Sequence, residues 1–118
     1  MERQERITAL RCVLELKTSM AEAVGELSRF AYDSDEEIVT LLPSHVVRIL
    51  DRYLSGELTE GDIEGWAEAL LGRDDIGLLM GFEESLKQAL FELSTPDVNE
   101  PISRELARRW AARFRGPS

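Results

Sequence analysis

From about Arg3 to Ala31 apolar residues fall on two offset lines. Ile7, Leu10 and Leu14 make one, and Val13, Leu16, Met20, Val24 and Leu27 the other. Both lines have helical spacing, and the stretch is rich in Ala, Leu, Glu and Arg, which favour helix. It reads either as one long helix with a wide apolar stripe or as two, with a restart at Ser19, where Ser19-Met-Ala-Glu22 has capping-box spacing. A strand over residues 7–16 is the minority alternative. Ser34 and Glu37 repeat the capping-box spacing and predict a short helical turn through Leu42, ended by Pro43. Ser44 then caps a helix to Ser55, with Val46, Val47, Leu50, Tyr53 and Leu54 on its apolar face and a stop at Gly56.

Thr59 is the expected cap of the next helix, with Asp62 in its first turn. Ile63, Trp66, Ala67, Leu70 and Leu71 follow the i, i+3, i+4, i+7, i+8 pattern of a buried face, and Gly72 ends it. Residues 73–81 carry Ile76, Leu78, Leu79 and Met80 between glycines and read as a packed loop. A further helix places Phe82, Leu86, Ala89, Leu90 and Leu93 inward and ends before Thr95-Pro96. The last begins near Ser103, turns Leu106, Ala107, Trp110, Ala111 and Phe114 inward, and closes at Gly116-Pro117. Phe91 lies off its helix's apolar face, so it either widens the buried stripe or sits exposed in an interface. The expected fold is all-α: one domain over residues 1–118, a compact bundle or orthogonal array of about five to six helices.

Composition supports folding without staples, since 43% of residues are hydrophobic and recur periodically. Cys12 is the only cysteine, which excludes an internal disulfide and makes a reducing compartment the natural expectation. The longest uncharged run, Ile38 to Val47, has ten residues and contains Pro43. That is far short of the roughly 20 needed to span a bilayer. With Glu2, Arg3, Glu5 and Arg6 at its start, the chain does not resemble a secreted precursor. A cytoplasmic protein with no membrane association is expected.

Charge changes the picture most. The net charge is -9, yet residues 33–101 alone hold seventeen acids against four bases, while residues 102–118 hold five arginines and one acid. An acidic centre repels phosphate backbones, so nucleic acid is excluded as its partner and a basic protein fits better. Candidate contacts are Asp33, Asp35, Glu36 and Glu37, together with Glu60, Glu64 and Glu68. The last three repeat at i, i+4, a like-charge spacing that is locally unfavourable unless basic groups arrive from elsewhere. The C-terminal arginines are the expected intramolecular match for the acidic middle. The cluster at 33–37 lacks the ligand series, glycine and terminal Glu of an EF-hand, so helix-start carboxylates are the simpler reading. Asp74-Asp75 reads the same way, with Arg73 as a local partner.

His45 is the only histidine, with no nucleophile or orienting carboxylate indicated beside it, so no enzymatic activity, cofactor or metal is expected. Its i, i+3, i+7 spacing with Arg48 and Arg52 permits a small anion site. Gly61, Gly65 and Ala69 recur every four residues as a smooth strip, which is read as close packing within the chain or, alternatively, a homodimer contact.

The stretch Leu50-Asp-Arg-Tyr-Leu-Ser-Gly-Glu-Leu-Thr-Glu-Gly-Asp-Ile-Glu-Gly-Trp-Ala-Glu, continuing to Arg73-Asp-Asp-Ile76, resembles a helix–turn–helix of small acidic helical bacterial proteins. It is loosely similar to immunity proteins of the colicin D type. The resemblance covers caps and core residues, carries no catalytic signature and transfers no functional residue. It implies a helical, acidic protein whose role is to bind another protein.

Overall fold

The computed structural model describes residues 2–16 and 18–115. Six helices dominate: α1 (Glu2–Glu15), α2 (Met20–Leu27), α3 (Pro43–Leu54), α4 (Glu60–Leu70), α5 (Glu83–Ser94) and α6 (Arg104–Arg115). The expected closure at Gly116-Pro117 lies outside the described residues. Two strands, β1 (Val39–Leu41) and β2 (Ile76–Leu78), complete a mostly helical fold.

Local chemistry sets most boundaries. The first helical stretch is two helices, because the Ser19 hydroxyl accepts the Glu22 N–H and starts α2 anew. Between them Leu16 adopts a left-handed conformation (φ 49°) that costs a non-glycine residue on the order of 1 kcal/mol. Burial of its side chain, and a bond from Arg52 Nη1 to its carbonyl (3.0 Å), offset that cost. Thr59 and Asp62 form a complete capping box: the Thr59 hydroxyl accepts the Asp62 N–H at 3.1 Å, and Asp62 accepts the Thr59 N–H at 2.9 Å. Ser103 caps α6 by accepting the Leu106 N–H.

Three expectations fail between residues 34 and 81. Residues 34–42 form no helix. Ser34 turns back on Glu36, accepting its N–H and donating to its carbonyl, and Val39–Leu41 run as a strand with a buried–exposed–buried pattern. Ile38, Val39 and Thr40 are β-branched, and Pro43 forces Leu42 into extended backbone (φ −107°, ψ 152°). Pro43 therefore opens α3 at its first turn instead of closing an earlier helix. Leu42, not Ser44, is the capping residue. The supposed loop 73–81 contains β2, which pairs in parallel with β1 (Val39 with Ile76, Leu41 with Leu78). A parallel pair needs a long crossover, here supplied by α3 and α4.

Around the pair, α3 packs on α6, α4 on α5, and α1 on α2. Trp66, wholly buried on α4, donates its indole N–H to the Val13 carbonyl of α1 at 2.9 Å, tying the two halves of the core. Leu10, Val13, Leu50, Ile63, Leu86, Leu93 and Leu106 are buried around it as the sequence pattern requires, joined by Leu41 and by Ile49, which is more deeply buried on α3 than the expected Val47 and Leu54. Phe82 departs from that pattern: it precedes α5 and is exposed.

Candidate functional site

The acidic segment 33–37 is anchored by an ion cluster in the protein interior. Asp75 has no solvent exposure. Its carboxylate accepts two bonds from Arg73 (2.9 and 3.0 Å) and one from Arg6 Nε at 2.8 Å, although Arg6 is 69 residues away. Both arginines then reach the backbone leading into the segment: Arg73 the carbonyl of Ala31, Arg6 those of Ala31 and Asp33. Tyr32 lies over the Arg73 guanidinium (4.6 Å) and donates its hydroxyl to the Glu68 carbonyl of α4. The Asp75 carbonyl accepts the N–H groups of Ile38 and Val39. Burial pushes the Asp75 carboxyl up, but hydrogen bonds and charge from Arg73 and Arg6 outweigh it and hold the group below its ordinary value. The Arg73 pairing agrees with the sequence expectation, but Asp75 is an interior pivot and not a helix-start carboxylate. A signal existed: Arg6 stands on the stripe of Leu10 and Val13, one turn ahead of the first and two ahead of the second, where a charge needs an interior partner.

The seven candidate acids have unequal fates. Glu36 is bonded to Arg3. Glu37 lies against Gly77, where a Cβ would collide with its carboxylate. Asp33 and Asp35 are exposed and their carboxylates form no ion pair among the described residues. Glu60 and Glu68 are exposed and Glu64 half-buried along α4, again without an ion pair among the described residues. The α6 arginines do not reach this line. Arg109 pairs with Glu100 and Arg115 with Asp51, while Arg104 donates to the Leu54 carbonyl. Arg113 stacks on Trp110 at 5.0 Å and donates to Ser85. The expected internal charge match is thus made at α3 and the loop before α6, not at α4. Through Tyr32, the segment 33–37 adjoins the end of α4 that carries Glu68, so Asp33 and Asp35 are structurally linked to the acids of α4.

His45, Arg48 and Arg52 share α3 but not one task. His45 is half-buried, and its Nδ1 accepts the Leu42 N–H at 2.9 Å. Burial lowers its pKa, Glu15 opposes and Arg48 assists, so the ring is neutral near pH 7. Arg52 is held by Glu57 at 2.6 Å and by the Leu16 carbonyl. A shallow depression of about 960 Å³ borders Arg48, Arg52 and Arg115, but Glu57 and Asp51 already occupy the latter two. Arg48 is left as the cation there without an ion pair among the described residues. No group of three or more His, Cys, Asp or Glu side chains is placed to hold a metal ion among the described residues.

The small-residue strip does not pack as expected. Ala69 is buried, but a Cβ at Gly65 would meet nothing within 4 Å and one at Gly61 only the Thr59 hydroxyl at 3.7 Å. Phe91 is 44% exposed and Met80 86% exposed. Both line a groove of about 1180 Å³ bounded by the end of α4, β2 and α5. No described helix is long and apolar enough to cross a membrane. No protein-family model matches the chain, and no curated protein or solved structure is significantly similar to it.

Proposed function

We propose that this protein is an intracellular protein-interaction module, inhibitor- or immunity-like, that covers a basic partner protein with its acidic face and has no catalytic role of its own. The observation carrying this reading is the Glu60–Glu64–Glu68 line, a like-charge series for which the fold supplies no ion pair among the described residues. Such a line opposes its own helix by a few tenths of a kcal/mol per pair, a cost that an incoming cationic surface reverses. The linked carboxylates of Asp33 and Asp35 extend the field. Association with a basic protein is then steered electrostatically and weakens with salt.

The test is retention of partners from the source organism's lysate at low and high salt, compared with a Glu60→Gln, Glu64→Lys, Glu68→Lys variant whose fold is verified by circular dichroism. A basic protein held at low salt, released at high salt and lost by the variant is the expected result. Equal retention by the variant would mean that the acidic face is not the binding surface.

A further inference from the structure

The outer edge of β2 carries backbone groups that its pairing with β1 does not use. Val39 donates to the Asp75 carbonyl and Leu79 to the Leu41 carbonyl, so the odd-numbered positions of the second strand face β1. Backbone groups alternate along a strand. The N–H and C=O of Ile76 and Leu78 therefore point away from β1, and they have no hydrogen-bond partner among the described residues. The Ile76 residue is 7% exposed and Leu78 is half-buried, and both border an open groove. Backbone groups at such an edge are free to pair with an added strand.

The groove already described runs along this edge, with Ile76 and Leu78 among its walls. Its apolar surface comes from Leu71, Leu78, Met80 and Phe91. Its charged rim carries Glu37, Asp74, Glu83 and Glu84 against Lys87 and Arg113, while Arg73 is cancelled by Asp75.

We propose that the outer edge of β2 is a strand-addition site for an extended segment of the partner protein in which apolar residues alternate with lysine or arginine. Pairing to Ile76 and Leu78 supplies backbone hydrogen bonds. Alternate side chains serve the two sides of the added strand, apolar ones meeting Leu71, Leu78 and Phe91 and cationic ones meeting the carboxylate rim. Exposed edges invite such pairing, and acidic rims favour cationic strands over acidic ones. This inference rests on the reading of the protein as a binder of basic proteins and assigns the contact within it.

The experiment is amide hydrogen exchange by NMR on the whole chain, alone and with an alternating lysine–valine octapeptide at low salt. The comparison peptide has the same sequence but is N-methylated at alternate residues, which removes strand pairing and keeps the charge. In the dilute free protein, Ile76 and Leu78 are expected to exchange faster than Val39 and Leu79, which are bonded across the pair. The plain peptide should then slow Ile76 and Leu78 about tenfold or more and bind about tenfold tighter than the methylated one. Equal affinity of both peptides, with shifts on α4 and none at β2, would overturn strand addition and leave the acidic-face reading standing. Binding of neither peptide would overturn both. Protection of Ile76 and Leu78 that grows with protein concentration alone would put a second copy of this chain on the edge and overturn the proposed occupant.

Discussion

Replacing Asp75 with Asn removes one charge from the interior and nothing from the shape of the side chain. Two arginines then lose their counter-ion, but unequally. Arg6 retains some solvent contact and two carbonyl partners, whereas the Arg73 side chain is 1% exposed. Breaking a buried pair from one side costs about 3–5 kcal/mol. Arg73 keeps the Ala31 carbonyl and the face of Tyr32, so the lower end, about 3 kcal/mol, applies. At about 2.1 cal/mol/K per residue the unfolding entropy of this chain is roughly 250 cal/mol/K, so the midpoint should fall by about 12 °C. Thermal unfolding by circular dichroism measures it, and amide exchange should show Ile38 and Val39, which donate to the Asp75 carbonyl, opening first. Acid supplies the same perturbation. Because the folded Asp75 pKa lies below its ordinary value, its stabilisation is complete above about pH 3.9 and is lost as pH falls through the folded value. The Asn variant should lack that part of the acid limb. A destabilisation under about 1 kcal/mol would refute the reasoning, since the cluster would then be dispensable to the fold.

Two further outcomes follow from other parts of the structure. Gly65→Ala should stabilise α4 by about 0.8–1 kcal/mol, raising the midpoint by about 4 °C, because the new methyl meets no neighbour within 4 Å. A fall in the midpoint would show that the strip is packed in solution, and light scattering would tell whether against a second copy. His45 has a folded pKa below its ordinary value, so its contribution is present above about pH 6.5 and is lost as pH drops through the folded value. A His45→Asn variant, which keeps an acceptor for the Leu42 N–H, should show a flatter stability profile across that window, and an unchanged slope in urea titrations would remove His45 as its source.

Several residues that act on neighbours within a turn were legible in the sequence, although Ser34 and Ser44 do not cap helices, and those that act across the chain were not. Ser19 and Thr59 cap helices through bonds to residues three positions on, and Gly56 and Gly72 end them with left-handed backbone at φ 90° and 81°. The buried faces of α4 and α6 follow from periodicity alone, since Ile63, Trp66, Leu70, Leu106 and Trp110 all lie inward. The acidic character of the middle of the chain was equally plain. Which acids the fold neutralises was not, because a formal charge carries no partner: Asp51 and Glu100 are taken by α6 while Glu60, Glu64 and Glu68 are not.

The caps of α2 and α4 and the buried faces of α4 and α6 are thus settled by hydrogen bonds and side-chain spacing within a few residues, whereas α3 is capped by Leu42 in place of Ser44 and buries Ile49 more fully than Val47 or Leu54. Only the tertiary structure made strands of Val39–Leu41 and Ile76–Leu78, since three residues gain extended structure by pairing with a segment 37 positions away. It alone brought Arg6 to Asp75, turning two ordinary charges into an interior anchor for the acidic segment. The physical reason is common to both: each partner is stabilised by a group that is distant in the chain, and no local pattern records which distant group will arrive.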